Sequence, residues 1–221
     1  MHMHITFNDI LESDEIRTYI EQSDATLLSM GYTEHSFPHV LHVAETASYI
    51  LLSLGYSERE AELVSIASYL HDVGNMINRH DHAQNSALIA FHLLKELHAD
   101  PTDIALITTA IANHDEGTAF PVNSITAALI LADKADVRCT RVRNQDIATF
   151  DIHDRVNYSV KRSDLRVEKD SHIELALQID TEICAVMDYF EIFLERMVLC
   201  RKAAEKLNLQ FRLTINDQPI M

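Results

Sequence analysis

Residues 67–75, with the sequence Ala67-Ser68-Tyr69-Leu70-His71-Asp72-Val73-Gly74-Asn75, join a helix-like run to an adjacent imidazole and carboxylate. The apolar residues before the pair are spaced like the buried stripe of a helix, and Gly74 is a typical helix stop. His71 and Asp72 are therefore expected near the core, where each would be costly to bury unpaired. Because neutral imidazole and ionised carboxylate are complementary ligands of a divalent cation, the stretch predicts a metal site at a helix end.

Helical periodicity continues on both sides of this stretch through most of the first 160 residues. Pro38 and Gly55 bound one helix, and Ser57 with Glu60 forms a capping box that opens the next. The predicted helices cover residues 9–31, 38–54, 57–72, 81–97, 101–113 and 125–138. The sequence therefore predicts a mainly α protein whose helical, metal-binding domain spans residues 1–160.

Beyond residue 160 the pattern changes from helical periodicity to alternation. Residues 165–168 and 172–179 alternate apolar and polar side chains around Lys169-Asp170-Ser171, as in a β-hairpin, and residues 209–215 alternate again. Residues 181–207, between them, are predicted to form a long helix. We therefore predict a second unit at residues 161–221, a small α+β appendage of antiparallel strands and one long helix that packs on the helical domain.

The composition restricts the class of protein. Cys139, Cys184 and Cys200 lie far apart and never in a C-x-x-C arrangement, which indicates reduced thiols rather than a zinc ribbon or disulfides. A net charge of −16 disfavours binding to nucleic acid polymers and to anionic membranes. Because no segment has the apolar length of a secretory signal or a membrane span, we expect a cytoplasmic protein.

Three separate predicted helices carry polar side chains that are expected to face inward: His42, the pair His71 and Asp72, and Asp133 within Leu131-Ala132-Asp133-Lys134-Ala135-Asp136. In this order they resemble the HD superfamily of metal-dependent phosphohydrolases, over residues 36–143. The resemblance implies an HD-type helical bundle with a metal at its centre. His82 and His114 resemble the additional ligands of the members that hold two metals.

The resemblance also implies how the ligands are shared between two ions. The first set is His42, His71, Asp72 and Asp133, and the second is His82 and His114 with Asp72 as the bridge. This arrangement is similar to that of the bacterial dinucleoside-polyphosphate hydrolases of the superfamily and, more distantly, to the cyclic-dinucleotide phosphodiesterases. His80 is an alternative to His82, because a helix-end histidine also has structural uses. His35 and His39 are candidates for the mouth of a pocket.

The ligand types indicate the chemistry of the site. Two cations bridged by a carboxylate and a solvent molecule lower the pKa of that water and neutralise charge on phosphoryl oxygens. Imidazole-rich coordination favours iron, manganese, cobalt, nickel or zinc over magnesium, so the predicted cofactor is one or two transition-metal ions. The predicted catalytic residues are His71, Asp72 and Asp115, of which Asp115 adjoins a ligand and could orient it or protonate a leaving group.

Phosphate binding is assigned to cations near the ligands, because guanidinium groups suit bidentate phosphate recognition. The predicted substrate-binding residues are Arg79, Lys134, Arg138 and Arg141. Asn75 departs from the pattern of the resemblance, in which many relatives have lysine at this position as one possible phosphate contact.

The sequence thus predicts a phosphohydrolase that cleaves a phosphate ester or anhydride of a small molecule, with nucleotides as the leading substrates. The alternative is a non-catalytic module that binds metal or a nucleotide and has a regulatory role. The complete ligand set favours the enzyme, since a site that no longer catalyses a reaction is expected to have lost one or more ligands. The predicted partner is a small phosphorylated substrate, and a homodimer is a further option.

Overall fold

The computed structural model describes residues 4–220 and is mainly helical, with a small sheet near the C-terminus. In chain order the helices are α1 (Phe7–Leu11), α2 (Asp14–Ser29), α3 (Phe37–Leu54), α4 (Glu58–Leu70), α5 (His82–Glu96), α6 (Pro101–Ala112), α7 (Ser124–Ala135), α8 (Ile152–Ser159) and α9 (Val186–Lys206). Short 3₁₀ turns occupy Val73–Met76, Cys139–Arg141 and Ile147–Thr149. The predicted fold class, a helical bundle with an α+β appendage, is confirmed. Within residues 4–220, no helix combines the length and the apolar character that crossing a membrane requires.

The ends of the central helices follow from capping residues. The Ser57 side chain accepts a hydrogen bond from the backbone N–H of Glu60, whose carboxylate accepts one from the backbone N–H of Ser57. The predicted capping box at the start of α4 is thus confirmed. Gly55 ends α3 in the left-handed region with a φ of 89°, which glycine adopts without a steric penalty.

Helices α4 and α7 form the centre of the bundle. Residues 63–70 of α4 and 125–132 of α7 are all buried. Helices α3, α6 and α7 pack on α4, while α3 and α9 also pack on α7. Because both helices are enclosed, the polar side chains at their C-terminal ends are delivered into the interior.

Gly74 allows the chain after α4 to pack tightly against α5. A Cβ atom at this position would lie 2.4 Å from the backbone oxygen of His82 and 2.4 Å from the backbone nitrogen of Ser86. Its own N–H donates to Ser86 Oγ at 2.7 Å. Gly74 is therefore not the helix stop that the sequence predicts, because α4 ends earlier, at Leu70; it is needed for close approach between two backbones.

The sheet contains β1 (Val160–Glu168), β2 (His172–Ile179), β3 (Gln210–Ile215) and β4 (Gln218–Pro219), in that spatial order. The β1–β2 hairpin is antiparallel, as predicted, but β2 and β3 pair in parallel. The prediction of an all-antiparallel sheet is thus wrong, because α9 provides the long crossover that a parallel pair needs.

The buried core continues from the helical bundle into the C-terminal region. Helix α9 packs on α7 and α8 as well as on β2 and β3. Phe193 and Met197 of α9 are buried in the same cluster as Leu129 of α7 and Leu213 of β3. The C-terminal region therefore packs on the bundle, while the division at residue 160 stays a prediction.

Candidate metal centre and adjoining cavity

Four histidine rings from the ends of four helices meet in the interior. Their Nδ1 atoms each lie against an oxygen: His39 is 2.7 Å from Asp136 Oδ2, and His71, His82 and His114 are 2.6, 3.2 and 2.7 Å from the backbone oxygens of Ser68, Arg79 and Ile111. Since these oxygens only accept, each Nδ1 carries a hydrogen and donates it. This bonding fixes each ring and directs its Nε2 to the centre, as in metal-binding histidines.

A first group of donors surrounds one point between α3, α4 and α7. His39 Nε2 lies 3.3 Å from His71 Nε2 and 3.5 Å from Asp133 Oδ1, and His71 Nε2 lies 3.3 Å from Asp72 Oδ2. Two donors that each bind one ion at about 2.1 Å are separated by roughly 3.0 to 3.4 Å at octahedral to tetrahedral angles. The donor spacing therefore fits a transition-metal ion.

Asp72 faces a second group with its other oxygen. Its Oδ1 lies 3.5 Å from His82 Nε2, whereas its Oδ2 is the oxygen that faces His39 and His71. The His114 ring lies between the two groups, with its centroid 4.9 Å from that of His71 and 5.2 Å from that of His82. One carboxylate that presents its two oxygens to two donor groups is suited to bridge two ions.

Buried neighbours hold Asp72 in this orientation. The amide Nδ2 of Asn75 donates to the Asp72 backbone oxygen at 2.9 Å and to its Oδ1 at 3.0 Å. Ser23 Oγ donates to the same backbone oxygen at 2.8 Å. Asn75 thus positions the candidate bridging carboxylate.

The charges of the cluster favour a bound cation. Burial acts to raise the pKa of Asp133, but Lys134 and the histidines outweigh burial and hold it well below its usual range. Burial acts in the opposite direction on His71, yet the carboxylates of Asp72 and Asp133 raise the pKa of His71 to about 10. The ionised carboxylates thus favour a proton on the His71 imidazole, and a metal ion bound at the same place would compete with that proton. Burial is the main cause that lowers the pKa of His114, so this imidazole stays neutral, the form that can bind a metal ion.

Five of the six predicted ligands meet in this cluster, and one does not. His71, Asp72, His82, His114 and Asp133 belong to the groups that could hold an ion, together with His39. His42 was predicted as a ligand instead of His39, but the structure does not bring it into the cluster: its side chain is 44% exposed, and its Nε2 lies 3.9 Å from Asp136 Oδ1. His80, the alternative to His82, is 86% exposed and contacts Asp81.

A cavity of about 500 Å³ opens beside the donors and carries several cations. Lys134 is buried in its wall, with Nζ 2.7 Å from Asp133 Oδ2 and 3.3 Å from Glu116 Oε2. Burial acts to lower the pKa of Lys134, but the two carboxylates raise it, so the amine stays charged. Asp115 also lines the cavity, with Oδ1 3.7 Å from His82 Nε2.

The predicted arginines divide between the cavity and the structure around it. Arg79 lines the cavity, where it lies over the Tyr32 ring and donates to Asn75 Oδ1 at 3.4 Å. Arg141 also lines it, although its Nε and Nη1 donate to backbone oxygens. Arg138 is not among the residues that line the cavity, and its guanidinium pairs with Asp136, so its role in substrate binding stays a prediction.

Comparison with known proteins finds similarity over parts of this chain. Residues 37–141 match the family model of the HD domain. The chain contains an HD domain. It is 23% identical over 207 residues to "Uncharacterized protein MJ1020" of Methanocaldococcus jannaschii, covering 82% of this chain and 80% of that protein. A "predicted HD superfamily hydrolase" from an uncultured Thermotogales bacterium has a crystal structure that is 23% identical, with a TM-score of 0.45, covering 61% of this chain and 75% of that chain.

All of the clustered donors lie within the HD domain, but the cavity wall extends beyond it. Asn157 of α8 and Phe193 and Arg196 of α9 also line the cavity. Sequence reasoning missed these residues and Glu116, whose pKa is about 2 because Lys134 and Arg196 outweigh the effect of its burial. The charge of Glu116, two positions after the predicted ligand His114, was a signal for that residue, whereas no local signal marked Arg196.

Proposed function

We propose that this HD-domain protein is a metal-dependent phosphohydrolase that cleaves a phosphate ester or anhydride of a small molecule. The observation that carries the proposal is the position of Asp72, whose two oxygens face two histidine groups beside a cation-lined cavity. A structural cluster would need neither a shared carboxylate nor an open approach. An open approach is needed where metal ions act on a bound phosphate, and a carboxylate that faces two donor groups suits a site with two ions.

The donor set supports two transition-metal ions. His39, His71, Asp72 and Asp133 would hold one, and Asp72, His82 and His114 the other. When bound, such ions lower the pKa of coordinated water and neutralise charge on phosphoryl oxygens. Imidazole nitrogen supports iron, manganese, cobalt, nickel or zinc rather than magnesium.

The protein's own groups have separate tasks around this centre. Asn75 and Ser23 hold Asp72 so that it stays available to both donor groups. Lys134 contributes a fixed positive charge next to Asp133. Asp115 lies at the cavity surface close to His82, from where its carboxyl can pass a proton to a leaving oxygen.

The cavity supports a nucleotide-sized substrate. Its volume of about 500 Å³ lies within the range of small-molecule sites. Arg79, Lys134 and Arg141 provide positive charge, and the ring of Tyr32, which is 41% exposed, provides an aromatic surface in the same wall. Phosphate and base recognition can therefore occur in one cavity.

The test is turnover by protein purified without chelator and without a metal-affinity column. We expect hydrolysis within a panel of nucleotides and p-nitrophenyl phosphate esters in the presence of manganese, iron or cobalt. His71→Ala and Asp72→Ala should abolish turnover while the fold persists by circular dichroism. His80→Ala is the control, because the side chain of this histidine is 86% exposed and pairs with the exposed Asp81 rather than with the donor cluster.

Metal binding without turnover on the whole panel would favour the non-catalytic module instead. Turnover that survives loss of metal in Asp72→Ala would contradict the assignment of the site. Both outcomes are read from the same preparations, by activity and by elemental analysis.

A further inference from the structure

Helix α9 adds an arginine to a cavity whose other cations come from the HD domain. Arg196 lies 55 positions beyond the last residue that matches the HD family model, yet it lines the cavity together with Phe193. Its side chain is 32% exposed, so it is neither enclosed in the core nor free on the surface.

Two contacts hold the Arg196 side chain in place. Its Cζ lies 4.5 Å from the centroid of the Phe193 ring, a cation–π distance. Its Nε lies 2.6 Å from Glu116 Oε1, an ion pair whose geometry is not that of a hydrogen bond. Glu116 Oε2 in turn pairs with Lys134, which contacts Asp133. A chain of alternating charges thus connects α9 to a candidate metal ligand.

These contacts leave the outer edge of the guanidinium available. Among the residues that the structure describes, neither Nη1 nor Nη2 of Arg196 has a hydrogen-bond partner. Arg141, in contrast, uses Nε and Nη1 to bind the backbone oxygens of Glu34 and Asp136. Lys134 is shared between two carboxylates. Arg196 therefore keeps two donor groups for a ligand, on a side chain whose orientation is already fixed.

We propose that Arg196 binds a second phosphoryl group of the substrate, away from the phosphoryl group at the metal centre. The inference rests on the proposed function and narrows it to di- or polyphosphate compounds. Glu116 and Lys134 lie between Arg196 and Asp133 in the chain of ion pairs. An anion bound by Arg196 would therefore lie further from Asp133 than an anion bound by Lys134. A pre-oriented guanidinium suits the paired oxygens of a phosphoryl group.

The experiment measures binding of two anions to the metal-loaded full-length chain by isothermal titration calorimetry. The probes are orthophosphate, with one phosphoryl group, and methylenediphosphonate, with two groups joined by a link that resists hydrolysis. Arg196→Ala should weaken methylenediphosphonate binding by about 10- to 100-fold, the range for hydrogen bonds to charged groups. It should weaken orthophosphate binding by less than about threefold. Arg201→Ala, an exposed arginine of the same helix, should change neither.

Arg196→Lys separates a binding role from a bracing role. Lysine keeps the charge that faces Glu116 but has no paired donors. Arg196→Lys should therefore have the metal content and stability of the wild type, but a lower affinity for methylenediphosphonate. Equal affinity of wild type and Arg196→Ala for methylenediphosphonate, at equal metal content, would overturn the proposal. An equal loss for both anions would also overturn it, because it would place Arg196 at the metal-centre phosphoryl group.

Failure of the proposed function is distinguished by the turnover panel. Wild-type protein that shows no turnover, but binds methylenediphosphonate in an Arg196-dependent way, would refute the hydrolase and support the anion site. Turnover with no dependence of diphosphonate affinity on Arg196 would support the hydrolase and refute the anion site.

Discussion

Replacing Gly74 by alanine tests how the close packing of α5 against the preceding turn positions the second donor group. The added Cβ would lie 2.4 Å from two backbone atoms, His82 O and Ser86 N, and 2.8 Å from Asn85 Cβ. An ordinary contact of about 3.4 Å requires the backbones to separate by about 1 Å, which is an overpacking change that costs about 2–3 kcal/mol. For a chain of this size, the loss corresponds to a decrease in Tm of roughly 4–12 °C.

The same displacement should weaken metal binding. His82 is the first residue of α5, so movement of the helix carries its Nε2 away from Asp72 Oδ1, which is now 3.5 Å away. We expect a loss of affinity for one of two ions by about 10- to 100-fold, as for other disturbances of ligand support. Calorimetric unfolding and metal titration with a chromogenic chelator measure the two effects.

Gly117→Ala is the matched control for this change. A Cβ there would meet no atom closer than 3.9 Å, the distance to Asp115 Oδ2, so stability and metal binding should stay close to those of the wild type. A Gly74→Ala protein with wild-type Tm and two ions would refute the packing argument. Equal damage in both variants would show that the close approach at Gly74 is not the cause.

Three further predictions concern the support of the site. Asn75→Ala removes the amide that donates to Asp72 and should weaken metal binding by about 10- to 100-fold, measured by chelator competition; unchanged affinity would contradict the positioning role. Removing metal with chelator should lower Tm, since an ion at 100 times its Kd stabilises the fold by about 2.7 kcal/mol; identical melting with and without metal would speak against a site in the core. Arg138→Ala should lower the free energy of unfolding by about 1–3 kcal/mol, because the ion pair with Asp136 is lost, and should leave KM unchanged. A higher KM at equal metal content would show that Arg138 contributes to substrate binding.

The clustered side chains at helix ends could be predicted because each adjoins a clear helical pattern. His71 and His114 come after buried stripes that stop, and His82 stands at the start of one. A side chain at a buried helix end lies near the core even when the predicted rotation of the helix about its own axis is slightly wrong. These positions are therefore fixed by local pattern alone.

The choice between His39 and His42 depends on contacts distant in sequence. The two residues are three positions apart on α3, so they lie on nearly the same face of the helix. Asp136, 97 positions later, bonds to His39 Nδ1 and directs that ring to the centre. No periodicity within α3 contains this information.

The C-terminal region was predictable as elements but not as an arrangement. Alternation of polar and apolar residues is the same in parallel and antiparallel strands, so the β2–β3 pairing could not be deduced from it. Likewise, the apolar stripe of α9 indicates a buried face but not its neighbour. That Arg196 lies in the same cavity as the HD-domain donors follows only from the packing of α9 on α7.

Metal content per chain in His39→Ala and His42→Ala tests the central assignment most directly. On the proposed function, we expect two transition-metal ions per chain in the wild type and in His42→Ala, and at most one in His39→Ala, by elemental analysis after reconstitution with manganese or iron. Loss of metal from His42→Ala with full content in His39→Ala would contradict the site. A wild type that binds no metal would contradict the whole account.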